Sequence, residues 1–169
     1  MNFLNYKNYL YMMVNTFKKK SLNRILQEIY AKENFVSGFV IEFGAEAGSS
    51  KNFTNFVRSK DIKKILYCDK FPKNNETIKE DLESKLNLES DSVDNIIIFN
   101  VLEHVFDNKN AFLEMNRCLK KNSGYIIGST PFIHRVHGAP DDYSRYTKQY
   151  FEKILDKTNF KNVKVKNLG

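Results

Sequence analysis

Two groups of polar side chains in this chain have the types and spacing to do chemistry. The first is a set of acids, each in or at the end of a candidate strand. Glu42 lies in Val40-Ile41-Glu42-Phe43-Gly44-Ala45-Glu46-Ala47-Gly48, Asp69 closes Ile65-Leu66-Tyr67-Cys68-Asp69, and Asp81 follows a short run from Thr77. A carboxylate at the end of a strand can accept both ribose hydroxyls of a nucleoside. One strand further on, Asp81 can accept from an adenine exocyclic amine, with Phe71 or Leu82 against the purine ring. Gly44 and Gly48 let the backbone pass close to such a ligand. A dinucleotide-binding G-x-G-x-x-G would need glycines at 46 and 49, where Glu46 and Ser49 stand. Singly, each acid reads as an ordinary turn residue. Three at three successive strand ends favour a site. The second group is the loop Pro131-Phe132-Ile133-His134-Arg135-Val136-His137-Gly138-Ala139-Pro140-Asp141-Asp142-Tyr143-Ser144-Arg145-Tyr146-Thr147. Long loops without their own structure tend to carry function. His137 could take a hydroxyl proton, and Arg145 could grip a phosphate or carboxylate with both its arms. With equal weight, Asp142 pairs with Arg145, Tyr143 packs, and together they only order the loop. His134 and His137 have Asp nearby, but no ligand spacing typical of zinc is present, so no metal site is expected.

The elements that must position these groups follow from periodicity. Residues 2–33 carry apolar residues at helical spacing, interrupted at residues 18–21, and predict one or two amphipathic helices over the core. From Gly38 the pattern alternates. Strands are predicted at residues 39–43, 65–68, 77–81, 93–99 and 125–129. A helix opening at Ser49-Ser50 should bury Phe53, Phe56 and Val57, and further helices are expected at residues 109–120 and 147–157. Phe160, Val163 and Val165 suggest a last strand. Strands alternating with helices imply a parallel sheet covered on both faces, with ligands beyond the carboxyl ends of the strands. The predicted organisation is a helical cap over residues 1–34 and an α/β core over residues 35–169.

Composition sets the bounds. The chain has 169 residues, 41% of them hydrophobic and 14% aromatic, which suits one folded domain. Its net charge of +7 invites nucleic acid, but Lys is scattered along the whole chain and Lys18-Lys19-Lys20 is the one tight run. Nucleic acid is therefore not the favoured partner. Cys68 and Cys118 read as buried hydrophobes rather than a disulfide framework. No apolar run approaches the ~20 residues that cross a bilayer, and no leader pattern opens the chain, so a cytoplasmic protein is expected.

A resemblance now becomes specific. The Glu42 to Gly48 turn resembles the E/D-x-G-x-G-x-G loop of class I S-adenosylmethionine (SAM) methyltransferases, with Glu46 in place of one glycine. Val93-Asp94-Asn95-Ile96-Ile97-Ile98-Phe99-Asn100-Val101-Leu102-Glu103-His104-Val105 resembles that family's D-x-I/V-x-x-x-x-V-L-E-H-V segment. Phe112-Leu113-Glu114-Met115-Asn116-Arg117-Cys118-Leu119-Lys120-Lys121-Asn122-Ser123-Gly124 is similar to its E-x-x-R-V-L-K-P-G-G segment, with Lys121-Asn122-Ser123 where Pro-Gly usually stands. The loop after residue 131 resembles the H-x-x-P-x-D-Y-x-R-Y-T signature of a subgroup frequent among surface-polysaccharide genes.

This resemblance implies a Rossmann-like, doubly wound, mostly parallel sheet, SAM as cofactor and S-adenosylhomocysteine as product. Glu42, Gly44 and Gly48 would shape the loop against the methionine part of SAM. Asp69 would bind its ribose and Asp81 its adenine, with Phe71 or Leu82 at the ring. Asn100 and Val101 would line the sulfonium. Glu46 would either turn away from the cofactor or crowd its carboxylate. His137 and, less centrally, His104 are the candidate bases. His134, Asp142, Tyr143 and Arg145 are the acceptor-side candidates. The acceptor would be small or carrier-linked, such as a sugar or phosphate-bearing cell-surface glycan precursor. The rival readings are RNA or protein methylation, and a non-catalytic SAM-binding partner subunit. Residues 160–169 supply at most one of the family's two closing strands, so the sheet is expected to end incomplete, and a homodimer would cover its open edge.

Overall fold

The computed structural model describes residues 5–138 and 140–167. Two helices come first, α1 (Tyr6–Phe17) and α2 (Leu22–Glu33), broken at the lysine run where Lys19 takes φ 58°. Each opens on a side-chain cap: Asn5 accepts from the Asn8 N–H, and the Ser21 hydroxyl from the Arg24 N–H. Five strands follow: β1 (Phe35–Phe43), β2 (Arg58–Asp69), β3 (Ile78–Lys79), β4 (Asn95–Phe99) and β5 (Tyr125–Ser129). Helix α3 (Asn108–Cys118) joins β4 to β5. Helix α4 (Lys148–Lys157), capped by the Thr147 hydroxyl, follows the loop after β5.

All neighbouring strands are parallel, in the order β3-β2-β1-β4-β5. The chain therefore switches direction of winding between β1 and β4, and the crevice beyond their carboxyl ends is where such sheets bind ligands. Alternating side chains divide the core. Ile41, Phe43, Ile96 and Ile98 pack with Ala111, Phe112, Met115 and Ile154 from α3 and α4. Val40, Ile97, Phe99 and Ile127 pack on the opposite face with Ala31 of α2 and Phe53. A fully buried Ile such as Ile97 contributes about 1.5–3 kcal/mol, so the central Ile96-Ile97-Ile98 run holds both layers to one sheet. Among the described residues no helix is long and apolar enough to cross a membrane.

Three expectations are corrected. The helix predicted to open at Ser49-Ser50 is a single 3-10 turn, Phe53–Asn55. Asn52 and Asn55 donate their side-chain amides to the Glu46 and Ser49 carbonyls, giving the backbone an alternative to helix. Second, β2 begins seven residues before the predicted strand, at Arg58 rather than Ile65. Residues 58–64 are mostly charged and exposed, so no apolar pattern marks them; pairing with β1 carries them instead. Third, residues 160–167 form no strand. Phe160 packs against the core alone, and Asn162 (φ 54°) turns the chain away. The end of that predicted segment, residues 168 and 169, lies outside the described residues.

Candidate functional site

The glycine turn leaves β1 at the centre of the sheet. Gly44 (φ +69°) and Gly48 (φ +77°) both need left-handed backbone. A Cβ at Gly44 would lie 2.3 Å from Val101 Cγ2, so glycine also lets the turn abut the segment after β4. At Gly48 a Cβ would meet nothing within 4 Å, so open space lies over this part of the turn. Glu42 is 3% exposed and accepts from the Phe53 N–H (2.6 Å) and the Thr54 N–H (2.8 Å). Burial pushes its pKa up, opposed by those two hydrogen bonds. It braces the turn from beneath. Glu46 does not crowd the turn. Its carboxylate accepts from the Lys73 N–H (2.8 Å), the Asn74 amide (3.1 Å) and the Thr77 hydroxyl (2.9 Å), tying the turn to residues 73–77.

At the end of β2, Asp69 Oδ1 accepts from the Phe71 N–H (2.7 Å). Phe71 is 55% exposed, whereas Leu82 is buried in the core. Of the two, Phe71 is the one that presents its ring to solvent. Asp81 accepts from the Glu83 N–H and lies 3.0 Å from the Lys70 ammonium, which also reaches Glu83. An adenine amine at Asp81 would compete with Lys70.

At the end of β4, Asn100 takes φ 55°. Its side-chain oxygen accepts from Gln27 Nε2 (2.6 Å) and its amide donates to Gln27 Oε1 (3.0 Å). Gln27 also donates to the Ser129 hydroxyl (2.9 Å) at the end of β5. Sequence reasoning passed over Gln27. Its signal was a polar residue between Leu26 and Ile29 on a helix expected to be apolar on that side.

Beyond Asn100 a 3-10 turn, Leu102–His104, buries Glu103 completely. Neither Glu103 carboxylate oxygen has a hydrogen-bond partner among the described residues. Burial pushes its pKa up to about 7. His104 Nδ1 donates to the Asp141 carbonyl, and its Nε2 lies 3.8 Å from Glu103 Oε1. A carbonyl only accepts, so Nδ1 carries a proton, and in the neutral ring Nε2 carries the lone pair. The His104 ring meets His137 edge-on at 5.0 Å, and His137 lies 4.7 Å from His134. All three histidines of the chain are thus in one cluster.

The loop after β5 is held by its own acid–base pairs. Arg145 grips Asp142 with both Nη atoms, and Asp142 also accepts from the His137 backbone N–H (2.9 Å). Asp142 is held below the usual carboxylate range by Arg145 and that N–H. The Tyr143 N–H donates to the Glu103 carbonyl (2.8 Å), and its hydroxyl to Asp141 (3.0 Å). Buried Tyr146 donates to the Leu102 carbonyl (3.0 Å). Of the acceptor-side candidates, Asp142 and Arg145 bind each other, while His134 and His137 line a cleft of about 160 Å³ with Arg24, Gln27, Asn100 and Glu103.

The model of a methyltransferase domain family matches residues 44–127. Solved structures share the fold. A SAM-dependent methyltransferase from Archaeoglobus fulgidus is 17% identical, with 91% of this chain and 76% of that one covered and a TM-score of 0.57. The Haloferax volcanii complex of the Trm112 methyltransferase activator with its methyltransferase partner gives 14% identity, 92% and 76% coverage and a TM-score of 0.63. A Haemonchus contortus phosphoethanolamine N-methyltransferase bound to phosphomonomethylethanolamine and S-adenosylhomocysteine gives 14% identity, 84% and 38% coverage and a TM-score of 0.57. At these identities the likeness is one of fold. No curated protein matches the sequence.

Proposed function

We propose that this chain, whose residues 44–127 match a methyltransferase domain family, uses SAM to transfer a methyl group to a hydroxyl of a small or carrier-linked acceptor, such as a sugar or phosphate-bearing glycan precursor. The observation that carries this reading is the cleft at the end of β4. It sets Asn100, on the expected cofactor side, beside Glu103, His134 and His137.

SAM supplies an electrophilic methyl group on a sulfonium. The open glycine turn suits its methionine part, since Gly48 has free space above it. Asp69 suits the ribose and Phe71 the adenine. Asn100 and Val101, at the end of β4, would line the sulfonium side of SAM. With SAM bound, His137 would take the acceptor proton while the oxygen displaces the methyl group, leaving S-adenosylhomocysteine. His104 is fixed in orientation by the Asp141 carbonyl and supports that cluster. Asp142 and Arg145 hold His137 in place through its backbone. Much of the rate would come from alignment in the cleft. Arg24 and the two loop histidines on the cleft wall favour a phosphate-bearing acceptor. Buried, unpaired Cys68 and Cys118 suit a reducing cytoplasm. Among the described residues β5 is an edge strand of the sheet, and a homodimer would cover it.

The test is release of S-adenosylhomocysteine with labelled SAM and a panel of sugars, nucleotide sugars and phosphate esters, with RNA and protein as rivals. Label on a phosphate-bearing sugar is expected. Label on RNA alone, falling steeply with salt, would replace this acceptor reading.

A further inference from the structure

We propose that Glu103, His104 and His137 bind one divalent transition-metal ion of the zinc–cobalt–manganese class at the acceptor side of the cleft. One ligand atom from each residue lies within 4.8 Å of the others. Ligand bonds of ~2.0–2.2 Å in a tetrahedral site put donors roughly 3.3 Å apart. The remaining distance closes by rotation of the His137 ring, which sits on a loop and is only half-buried.

Four independent observations point to a cation here. Glu103 is 0% exposed, and neither oxygen has a partner among the described residues. A buried carboxylate without a counter-charge is costly, so such groups pair, coordinate metal or hold a proton. Arg145, whose charge acts on it, is already gripped by Asp142 at both Nη atoms. The Asp141 carbonyl holds a proton on His104 Nδ1, which in the neutral ring turns the Nε2 lone pair to within 3.8 Å of Glu103 Oε1. A backbone carbonyl holding the far nitrogen is the usual support of a metal-binding imidazole. His137 Nδ1 is buried without a hydrogen bond, 3.2 Å from Asp142 but misaligned. Finally, the chain has three histidines, and the third, His134, stands beside His137.

Two imidazoles and one carboxylate suit zinc, cobalt, manganese and iron(II), and leave coordination positions open. Those positions would border the cleft and take an acceptor oxygen, whose proton the ion would make easier to lose; His137, then a ligand, would act through the ion rather than as the base itself. Only this last step rests on the proposed methyl transfer. Sequence spacing concealed the site, because two ligands are adjacent and the third comes from a distant loop.

The experiment uses the full chain stripped with a chelator and titrated with CoCl2 by visible absorbance, then with ZnCl2 by calorimetry. Binding of one ion per chain in the micromolar range is expected, with a rise in melting temperature on zinc addition. Glu103→Gln and His137→Ala should each weaken binding at least about tenfold. Circular dichroism checks that each variant is folded; if one is not, the other decides. No saturable cobalt binding up to millimolar overturns the site, as does binding that both variants leave unchanged. S-adenosylhomocysteine titrated into the same stripped sample separates the readings: cofactor binding without any ion binding overturns the metal site alone.

Discussion

Glu28 and Glu103 are equally hidden from water, at 1% and 0% exposure, yet their surroundings are opposite. Glu28 lies between the two N-terminal helices. It accepts from the Tyr11 hydroxyl, from Lys20 Nζ (2.9 Å) and from Arg24 Nε (2.8 Å). Desolvation pushes its pKa up, but those bonds win and hold it below the ordinary value. Glu103 has no such partner among the described residues, and desolvation wins, raising it to about 7. One carboxylate is satisfied by the fold, and the other is left for something the fold does not contain. A buried polar group without a partner calls for an explanation, and here it sits in a cleft beside every histidine of the chain.

The largest effect that would break this comparison is on stability. Glu28→Ala strands Lys20, Arg24 and Tyr11 and should cost about 2–4 kcal/mol by chemical denaturation. Glu103→Gln at pH 8 should stay within about 1 kcal/mol of wild type or be more stable, since it removes an uncompensated charge. Equal losses would erase the distinction. Next, Gly44→Ala should destabilise by roughly 1–3 kcal/mol, because φ +69° and Val101 both oppose a Cβ. It should also weaken S-adenosylhomocysteine binding at least tenfold by calorimetry. Wild-type affinity in that variant would detach the turn from the cofactor.

A smaller effect is on pH dependence. Because the folded state depresses the pKa of Glu28, its contribution is present above the ordinary carboxylate value and lost as pH falls through the folded one. The stability gap between wild type and Glu28→Ala should therefore narrow below about pH 4. A gap independent of pH between 7 and 3 would mean the carboxylate is not the source. The smallest effect is expected from Glu46→Gly. It frees residues 73–77, so amide exchange at Lys73 should rise while cofactor affinity stays within about twofold. Tenfold tighter binding would restore the crowding role.

Much of the framework was legible in the residues. Val40 to Gly48, Ile96-Ile97-Ile98 and the Thr147 cap carry strong local signals, and each marks an element observed where expected. The loop alternatives were legible too: the internal pairing of Asp142 with Arg145 is the arrangement present. The region after Ser49 was not, because its apolar residues Phe53, Phe56 and Val57 are set among Ser, Asn and Thr that capture the backbone. Gln27 and Glu103 were missed for a different reason. A polar residue in an apolar pattern shows its meaning only once its partners, or their absence, are known in three dimensions.

The most direct test of the central claim is calorimetric titration of S-adenosylhomocysteine into the folded chain. The account predicts one site per chain with a micromolar Kd, weakened by Gly44→Ala and by Asp69→Ala but not by Glu46→Gly. No binding up to millimolar concentration, in a sample shown to be folded, would contradict it.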